Sequence, residues 1–316
     1  MNPFISICIP AYKRSNYLQR LLDSIAIQLY KNFEVVITDD SPDDEVQKLV
    51  LSYLEILPVR YFKNARSLGS PENWNETIRK ATGDWIKIMH DDDWFAGENS
   101  LRKFAETIEA SPEKNFFFSA YTSVHEEENN RKETICLNRA DETELKKNKF
   151  YLFRKNYIGN PSCMLFRKDP NVLFDNRFKW VVDFEFYIRY LDKQKNDFLY
   201  INNTLINVSI NQSQVTKSTF RAGSVEIPEN HILIDELGID KLRYIYVYDY
   251  FWRLYRNLGI KNNSQIKELG YPGQLHPVLK SMISWQKLFP AILLKFGPFS
   301  KTIMGLHYLT HVSKLE

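Results

Sequence analysis

The chain has 316 residues and a mass of 37.4 kDa, more than one small domain needs, so one large or two unequal domains are expected. Hydrophobic residues at 44% and charged residues at 26% exclude a mainly disordered chain, and 11 Gly with 13 Pro exclude collagen-like or linker-rich architecture. A formal net charge of +3 is too balanced to make nucleic acid a main partner. Cys8, Cys136 and Cys163 are odd in number and widely spaced, which fits neither a disulfide framework nor a paired zinc site; buried free thiols are expected. The first residues, MNPFISICIPAYKR, have neither a basic region ahead of their apolar run nor a cleavage site, and no uncharged apolar run approaches membrane-spanning length.

Taken in order, the first two hundred residues alternate between strand and helix patterns. Phe4 to Ile9 is a buried strand closed by Pro10, and Ser15 is placed to cap a helix with Leu18, Leu21, Leu22, Ile25 and Leu29 on one face. Phe33 to Thr38 is a second strand running into Asp39 and Asp40, and Val59 to Phe62 a third. Ser70-Pro71-Glu72 opens the next helix, with Ser70 as cap. Trp85 to Met89 is a fourth strand ending at His90-Asp91-Asp92-Asp93. Such alternation predicts an α/β fold whose mostly parallel sheet is covered by helices on both faces. Ligands of such sheets bind beyond the carboxyl ends of the strands, where Pro10-Ala11-Tyr12, Asp39-Asp40-Ser41 and the acidic triplet collect.

Adjacent carboxylates raise one another's pKa unless a cation holds them, and hard oxygen ligands suit Mg²⁺ or Mn²⁺ that also touch substrate phosphates. Taken alone, the triplet could equally be a solvated turn or an acidic helix start. Four blocks sharpen it: residues 5–25 (ISICIPAYKRSNYLQRLLDSI), 33–41 (FEVVITDDS), 68–94 (LGSPENWNETIRKATGDWIKIMHDDDW), and 158–169 (IGNPSCMLFRKD) continuing to 181–191 (VVDFEFYIRYL). In this order and spacing the chain resembles the family-2 glycosyltransferases, inverting enzymes with a GT-A nucleotide-sugar domain, over residues 4–215. The resemblance implies a GT-A domain over 1–220 and a helical region over 221–316. It also implies transfer of a sugar from a nucleotide-diphospho-sugar, UDP-linked before thymidine or guanosine forms, to a saccharide or lipid-diphosphate-linked acceptor (EC 2.4).

The same resemblance assigns residues. Pro10, Ala11 and Tyr12 form the base-contacting turn with Arg14 nearby, and Asp39 accepts from the base. Asp92 is the direct metal ligand. Asp91 makes the ribose or a water-mediated metal contact. His90 stands where the family signature begins with Asp, and is as readily a polar lining residue as a ligand. Asp183 is the candidate catalytic base, with Glu185 as rival and an N-cap role as the plain alternative; apolar bulk at Phe186 and Tyr187 is expected to raise its pKa. Trp94, Gly159, Asn160, Pro161 and Ser162 are expected near donor or acceptor. Ser209 and Asn211 replace the family's Arg-X-His, leaving Arg66, Lys217 and Arg221 as candidates to neutralise the diphosphate. Residues 208–223 have the composition of a segment that closes over donor.

From Phe251 to Glu316 the chain carries nine Lys or Arg against two acids, interleaved with Trp285, Leu288, Phe289, Ile292, Leu293, Phe296 and Phe299. Two readings stay open: a helical subdomain with solvated lysines, or contact of 281–310 with the anionic inner leaflet. A cytoplasmic, peripheral enzyme of surface-polysaccharide synthesis (O-antigen or capsule) is expected, with a second copy of the chain as a further partner class. The rival classes are a metal-dependent phosphohydrolase or nucleotidyltransferase, and a non-catalytic nucleotide-binding assembly protein.

Overall fold

The computed structural model describes residues 2–211 and 221–315. The chain divides into two compact units, one of residues 1–149, 157–176 and 186–214 and one of 150–156, 177–185 and 215–316. Two short segments before residue 220 thus belong with the C-terminal unit.

The first unit is built on a nine-stranded sheet. In chain order its strands are β1 (Ile5–Ala11), β2 (Phe33–Asp39), β3 (Val59–Lys63), β4 (Trp85–Ile88), β5 (Trp94–Phe95), β6 (Phe116–His125), β7 (Arg131–Ile135), β8 (Met164–Arg167) and β9 (Leu199–Ile210). They lie in the order β3-β2-β1-β4-β8-β6-β9-β5, with β7 beside β6. β1, β2, β3, β4, β6 and β9 share one direction, whereas β5, β7 and β8 run against their neighbours. Every residue of β1, β2 and β4 is buried, as expected of central strands covered on both faces. Helices α1 (Ser15–Ala26), α2 (Glu45–Leu51), α3 (Glu72–Lys80), α4 (Ser100–Ala110), α5 (Arg139–Lys147) and α6 (Val182–Lys193) connect them.

Four local expectations are corrected. Pro10 does not close β1: the strand continues to Ala11, paired with Asp39. The Met89 N–H donates to Cys8, so Cys8 and, two residues on, Pro10 face β4, whose pairing ends at Cys8. The missing N–H of Pro10 therefore removes no ladder bond. Ser15 does not cap α1; Arg14 occupies that position in the left-handed region (φ 41°), following Lys13 at φ 59°. Nor does Ser70 cap α3, whose cap position is Pro71. Of the thiols, Cys8 and Cys163 are buried but Cys136 is exposed.

The second unit contains α7 (Gly223–Leu237), α8 (Ile245–Leu258), α9 (Asn263–Glu268), α10 (Pro277–Lys287), α11 (Ala291–Lys295) and α12 (Gly297–His311). The aromatic α8 is its core: Val247, Tyr248, Phe251, Trp252, Leu254 and Tyr255 are buried. Their polar atoms are satisfied in place, Trp252 Nε1 donating to Ser300 at 3.1 Å and Tyr248 Oη meeting His307 Nδ1 at 2.6 Å. Among the described residues no helix is long and apolar enough to cross a membrane.

Candidate functional site

The carboxyl ends of β1, β2 and β4 carry the residues that the sequence singled out. Beyond β1 the turn exposes Tyr12, while the Lys13 N–H donates to Ser41 Oγ at 2.6 Å. The left-handed pair Lys13-Arg14 turns the chain so that the Arg14 guanidinium reaches back to β4, donating to Asp92 at 3.1 Å and pairing closely with Asp91. The Tyr12 N–H lies 3.5 Å from Asp91.

At the end of β2, Asp39 is fully buried. It accepts from Tyr61 Oη at 2.7 Å, Lys63 Nζ at 3.0 Å and the Ser41 N–H at 2.8 Å. Tyr61 and Lys63, both on β3, were not singled out in the sequence. Asp40 accepts from the N–H groups of Leu68 (3.0 Å) and Gly69 (2.7 Å) and from Asn64 (2.7 Å), which folds the loop carrying the exposed Arg66.

After β4 the four polar residues separate by direction. His90, Asp92 and Asp93 each offer a ligand atom within 4.8 Å of the others, whereas Asp91 faces Arg14. Asp93, absent from the expected ligands, is fixed by Asn160 Nδ2 at 2.7 Å and the Ser209 N–H at 3.0 Å. Burial and the neighbouring Asp92 push the Asp93 carboxyl up to about 7. Asp91 is likewise pushed up to about 7, mainly by burial, against the pull of Arg14. Burial lowers His90 to about 4, leaving a neutral imidazole at physiological pH. Among the described residues its Nε2 is buried with no hydrogen-bond partner. An imidazole lone pair beside two carboxylates fits Mn²⁺ better than Mg²⁺, which takes oxygen ligands, and these three residues would hold the ion.

A second layer supports this rim. Lys87 on β4 is fully buried, its ammonium placed against the carbonyls of Ile88 (3.2 Å) and Ser162, and burial lowers it to about 7. Ser162 Oγ accepts from the His90 N–H at 2.9 Å. Asn160, Pro161 and Ser162 thus line the back of the acidic turn. Gly159, just before them, has φ 91°, and a Cβ there would lie 2.7 Å from the Tyr121 ring and 2.9 Å from Cys163 Sγ. Gly159→Ala is therefore expected to lower the melting temperature, with a loss of about 1–3 kcal/mol. It should also weaken divalent-cation binding by displacing Asn160 from Asp93; thermal unfolding and Mn²⁺ titration check both.

Ser209 and Asn211, at the end of β9, enter the same cluster. Asn211 Nδ2 donates to Ser209 Oγ at 2.7 Å and lies 3.3 Å from Asp92, while Ser209 Oγ donates to Glu126 at 2.8 Å. Glu126 also accepts from Arg20 (2.8 Å) and Tyr17 (2.9 Å). Arg20 donates to the Asp92 carbonyl at 2.7 Å, and its guanidinium lies 3.7 Å from the Trp94 ring centroid. A cation from α1 thus stands beside Ser209 and Asn211. Sequence reasoning missed it because Arg20 reads only as the polar side of an amphipathic helix. Lys217 lies outside the described residues, as does most of 208–223; the Arg221 N–H binds Glu226.

Asp183 and Glu185 begin α6 and belong to the second unit. Burial raises the Asp183 carboxyl to about 6, against hydrogen bonds from the Phe184 N–H (2.8 Å) and Asn156 Nδ2 (3.3 Å). Glu185 is buried in the first turn. The start of α6 is fixed by Glu229 of α7, which accepts from the N–H groups of Lys179 (2.9 Å), Trp180 (2.8 Å) and Val181 (3.1 Å). Glu229 lies about fifty positions away in sequence, so nothing local announces it. Because it holds the backbone ahead of Asp183, Glu229→Ala is expected to cost about 1–3 kcal/mol of stability. Glu229→Gln keeps only one acceptor oxygen for these three N–H groups and should restore part of the loss, which thermal unfolding of both variants checks.

The rim so defined is that of an α/β protein with a cation-competent acidic turn at the switch in its sheet. The sequence profile of glycosyl transferase family 2 matches residues 6–173, and the chain belongs to that family. An uncharacterized glycosyltransferase of Haemophilus influenzae is 34% identical over 114 residues, covering 36% of this chain and 37% of that protein. One from Rickettsia felis is 31% identical over 124 residues, 39% of this chain and 20% of that protein. The match therefore spans less than two fifths of these relatives. Among solved structures, Staphylococcus aureus TarS (residues 1–349, with UDP) superposes with a TM-score of 0.61 at 16% identity, covering 96% of this chain and 90% of that one. The Pyrobaculum calidifontis mannosyltransferase PcManGT, with GDP-Man and Mn²⁺, gives 0.56 at 14% identity, covering 99% and 86%. At these identities the likeness is one of fold, a GT-A-like arrangement.

Proposed function

We propose that this protein transfers a sugar from a nucleotide-diphospho-sugar to a hydroxyl of a saccharide or lipid-linked saccharide, with inversion at the anomeric carbon. The observation that carries the reading is the convergence of Arg14, Asp91, Asp92, Asp93 and the orphaned His90 Nε2 at the carboxyl rim of a sheet that also ends in Asp39. Pro10 to Tyr12 and Asp39 receive the base, with the exposed Tyr12 ring available for stacking. A uracil base, as in TarS with UDP, is the first expectation, and a guanine base, as in PcManGT with GDP-Man, is the alternative. His90, Asp92 and Asp93 would hold a divalent cation, which would offset charge on the diphosphate as a Lewis acid. Arg14 adds a fixed positive charge beside it. Arg66 and Arg221 are subordinate candidates.

Asp183 acts as the base. Its carboxylate takes the acceptor hydroxyl proton as the acceptor oxygen forms its bond to the anomeric carbon; the carbon–oxygen bond to the diphosphate breaks and its electron pair leaves with the nucleoside diphosphate. A carboxyl raised to about 6 is still ionised at neutral pH yet is a stronger base than an ordinary Asp. Glu185 is its rival. Holding the three groups in line supplies a further part of the rate, on the order of 7–11 kcal/mol in favourable cases. In domain terms, residues 1–220 bind the donor, and 221–316 serve acceptor, oligomer or membrane contact. Synthesis of bacterial surface polysaccharide at the cytoplasmic face of the inner membrane is the setting that this size and layout suggest.

The test is a panel of sugar nucleotides assayed for nucleoside diphosphate release, with and without saccharide acceptors and Mn²⁺. Acceptor-dependent, Mn²⁺-dependent release supports transfer. Release of inorganic phosphate or nucleoside monophosphate would instead favour phosphohydrolase chemistry, and nucleotide binding without turnover an assembly role.

A further inference from the structure

We propose that residues 287–309 of the C-terminal unit form a docking surface for an anionic lipid bilayer. Leu288, Ile292, Leu293 and Phe296 enter the acyl boundary, and Lys287, Lys295 and Lys301 sit among the headgroups. Fourteen large hydrophobic side chains are exposed among the described residues, and six of them fall between 288 and 309. They are well exposed: Leu288 73%, Ile292 78%, Phe296 63% and Leu309 72%. Single exposed leucines need no explanation, but such a concentration does.

This segment is packed from the other side. Leu294 is buried, Phe289 meets Phe299 edge-on at 5.6 Å, and Trp285 packs against His307 at 4.9 Å. The inward apolar positions are therefore already filled, and the outward ones are surplus to the unit's own core. α11 is a short turn-and-a-half between Pro290 and Gly297 that leaves Ile292 and Leu293 exposed. Apolar side chains on a short interfacial helix enter about 5–10 Å into the headgroup and acyl boundary and do not span it.

Charge selects the occupant. Between Leu269 and Leu315 there are five lysines and no Asp or Glu. A second copy of the chain docked two-fold through the same face would bring this uncompensated positive charge against its own copy. A bilayer rich in anionic headgroups meets both the cations and the apolar side chains, each lysine near the surface contributing about 1 kcal/mol. The inference is independent of turnover at the acidic rim, although a lipid-linked acceptor would lie at such a surface.

The experiment is co-sedimentation of the full chain with vesicles of equimolar phosphatidylglycerol and phosphatidylcholine, against vesicles of phosphatidylcholine alone. Wild-type protein is expected to bind the anionic vesicles and to be released by high salt. The exposed-site variant Leu288→Ser/Ile292→Ser/Phe296→Ser should weaken binding about tenfold or more. Lys287→Gln/Lys295→Gln/Lys301→Gln should weaken it about a hundredfold. Circular dichroism checks that both keep the fold, as exposed positions predict. Three results overturn the proposal: a wild-type chain that ignores anionic vesicles, variants that bind like wild type, or light scattering that shows a dimer which the apolar variant dissolves. Nucleoside diphosphate release, assayed separately, shows whether the catalytic reading stands whatever the vesicles report.

Discussion

Asp183→Asn is expected to lower kcat by about 10²–10⁴-fold while leaving nucleoside diphosphate binding near wild type. The amide keeps the shape of the carboxyl but cannot take a proton. In the wild-type enzyme, kcat/KM should rise with pH through about 6 and level off above it, because the base works only when ionised and burial has raised its pKa to that value. The sign for stability is opposite. A carboxyl whose folded pKa is raised favours the protonated form in the native state, so the fold is penalised above about pH 6 and relieved as pH falls below it. Removing the charge should therefore stabilise the protein at neutral pH, by about 3 kcal/mol at most. Lost turnover with a raised melting temperature is a pattern that mere damage to the fold does not give. Substantial turnover by Asp183→Asn would pass the role to Glu185.

Asp92→Ala should cost about 10²–10³-fold in kcat/KM and weaken Mn²⁺-dependent nucleotide binding. Three features of Asp92 argue for a large effect: it lies among the cation-competent atoms, pairs with Arg14, and is approached by Asn211. His90→Ala should do less, since it removes a neutral donor and leaves both carboxylates. If the two variants lost metal affinity equally, His90 would be a full ligand. If His90→Ala left it untouched, His90 would be a lining residue packed on Trp74, whose ring centroid lies 4.7 Å away.

The ends of β2 and β4 were legible because these strands are buried on both faces and read as apolar runs that stop at Asp39 and His90, whereas the proline in β1 placed its end two residues early. Parallel topology then gathers those stops at one rim without any further information. What escaped the sequence depends on partners far apart in the chain. Glu126 meets Arg20 across 106 positions, Asn160 meets Asp93 across 67, and Glu229 holds Lys179 across 50; none of these contacts leaves a local period. The separation of Asp91 from Asp93 was hidden for a different reason. Three identical neighbours carry no sign of direction until Arg14, turned by two left-handed residues, claims the first of them.

The most direct measurement is the anomalous difference density of a crystal of the wild-type protein grown with Mn²⁺ and a nucleoside diphosphate. One strong peak is expected within coordination distance of Asp92, between the nucleotide's two phosphoryl groups and the His90 and Asp93 side chains. Nucleotide seated elsewhere, or manganese density remote from Asp92, would contradict it.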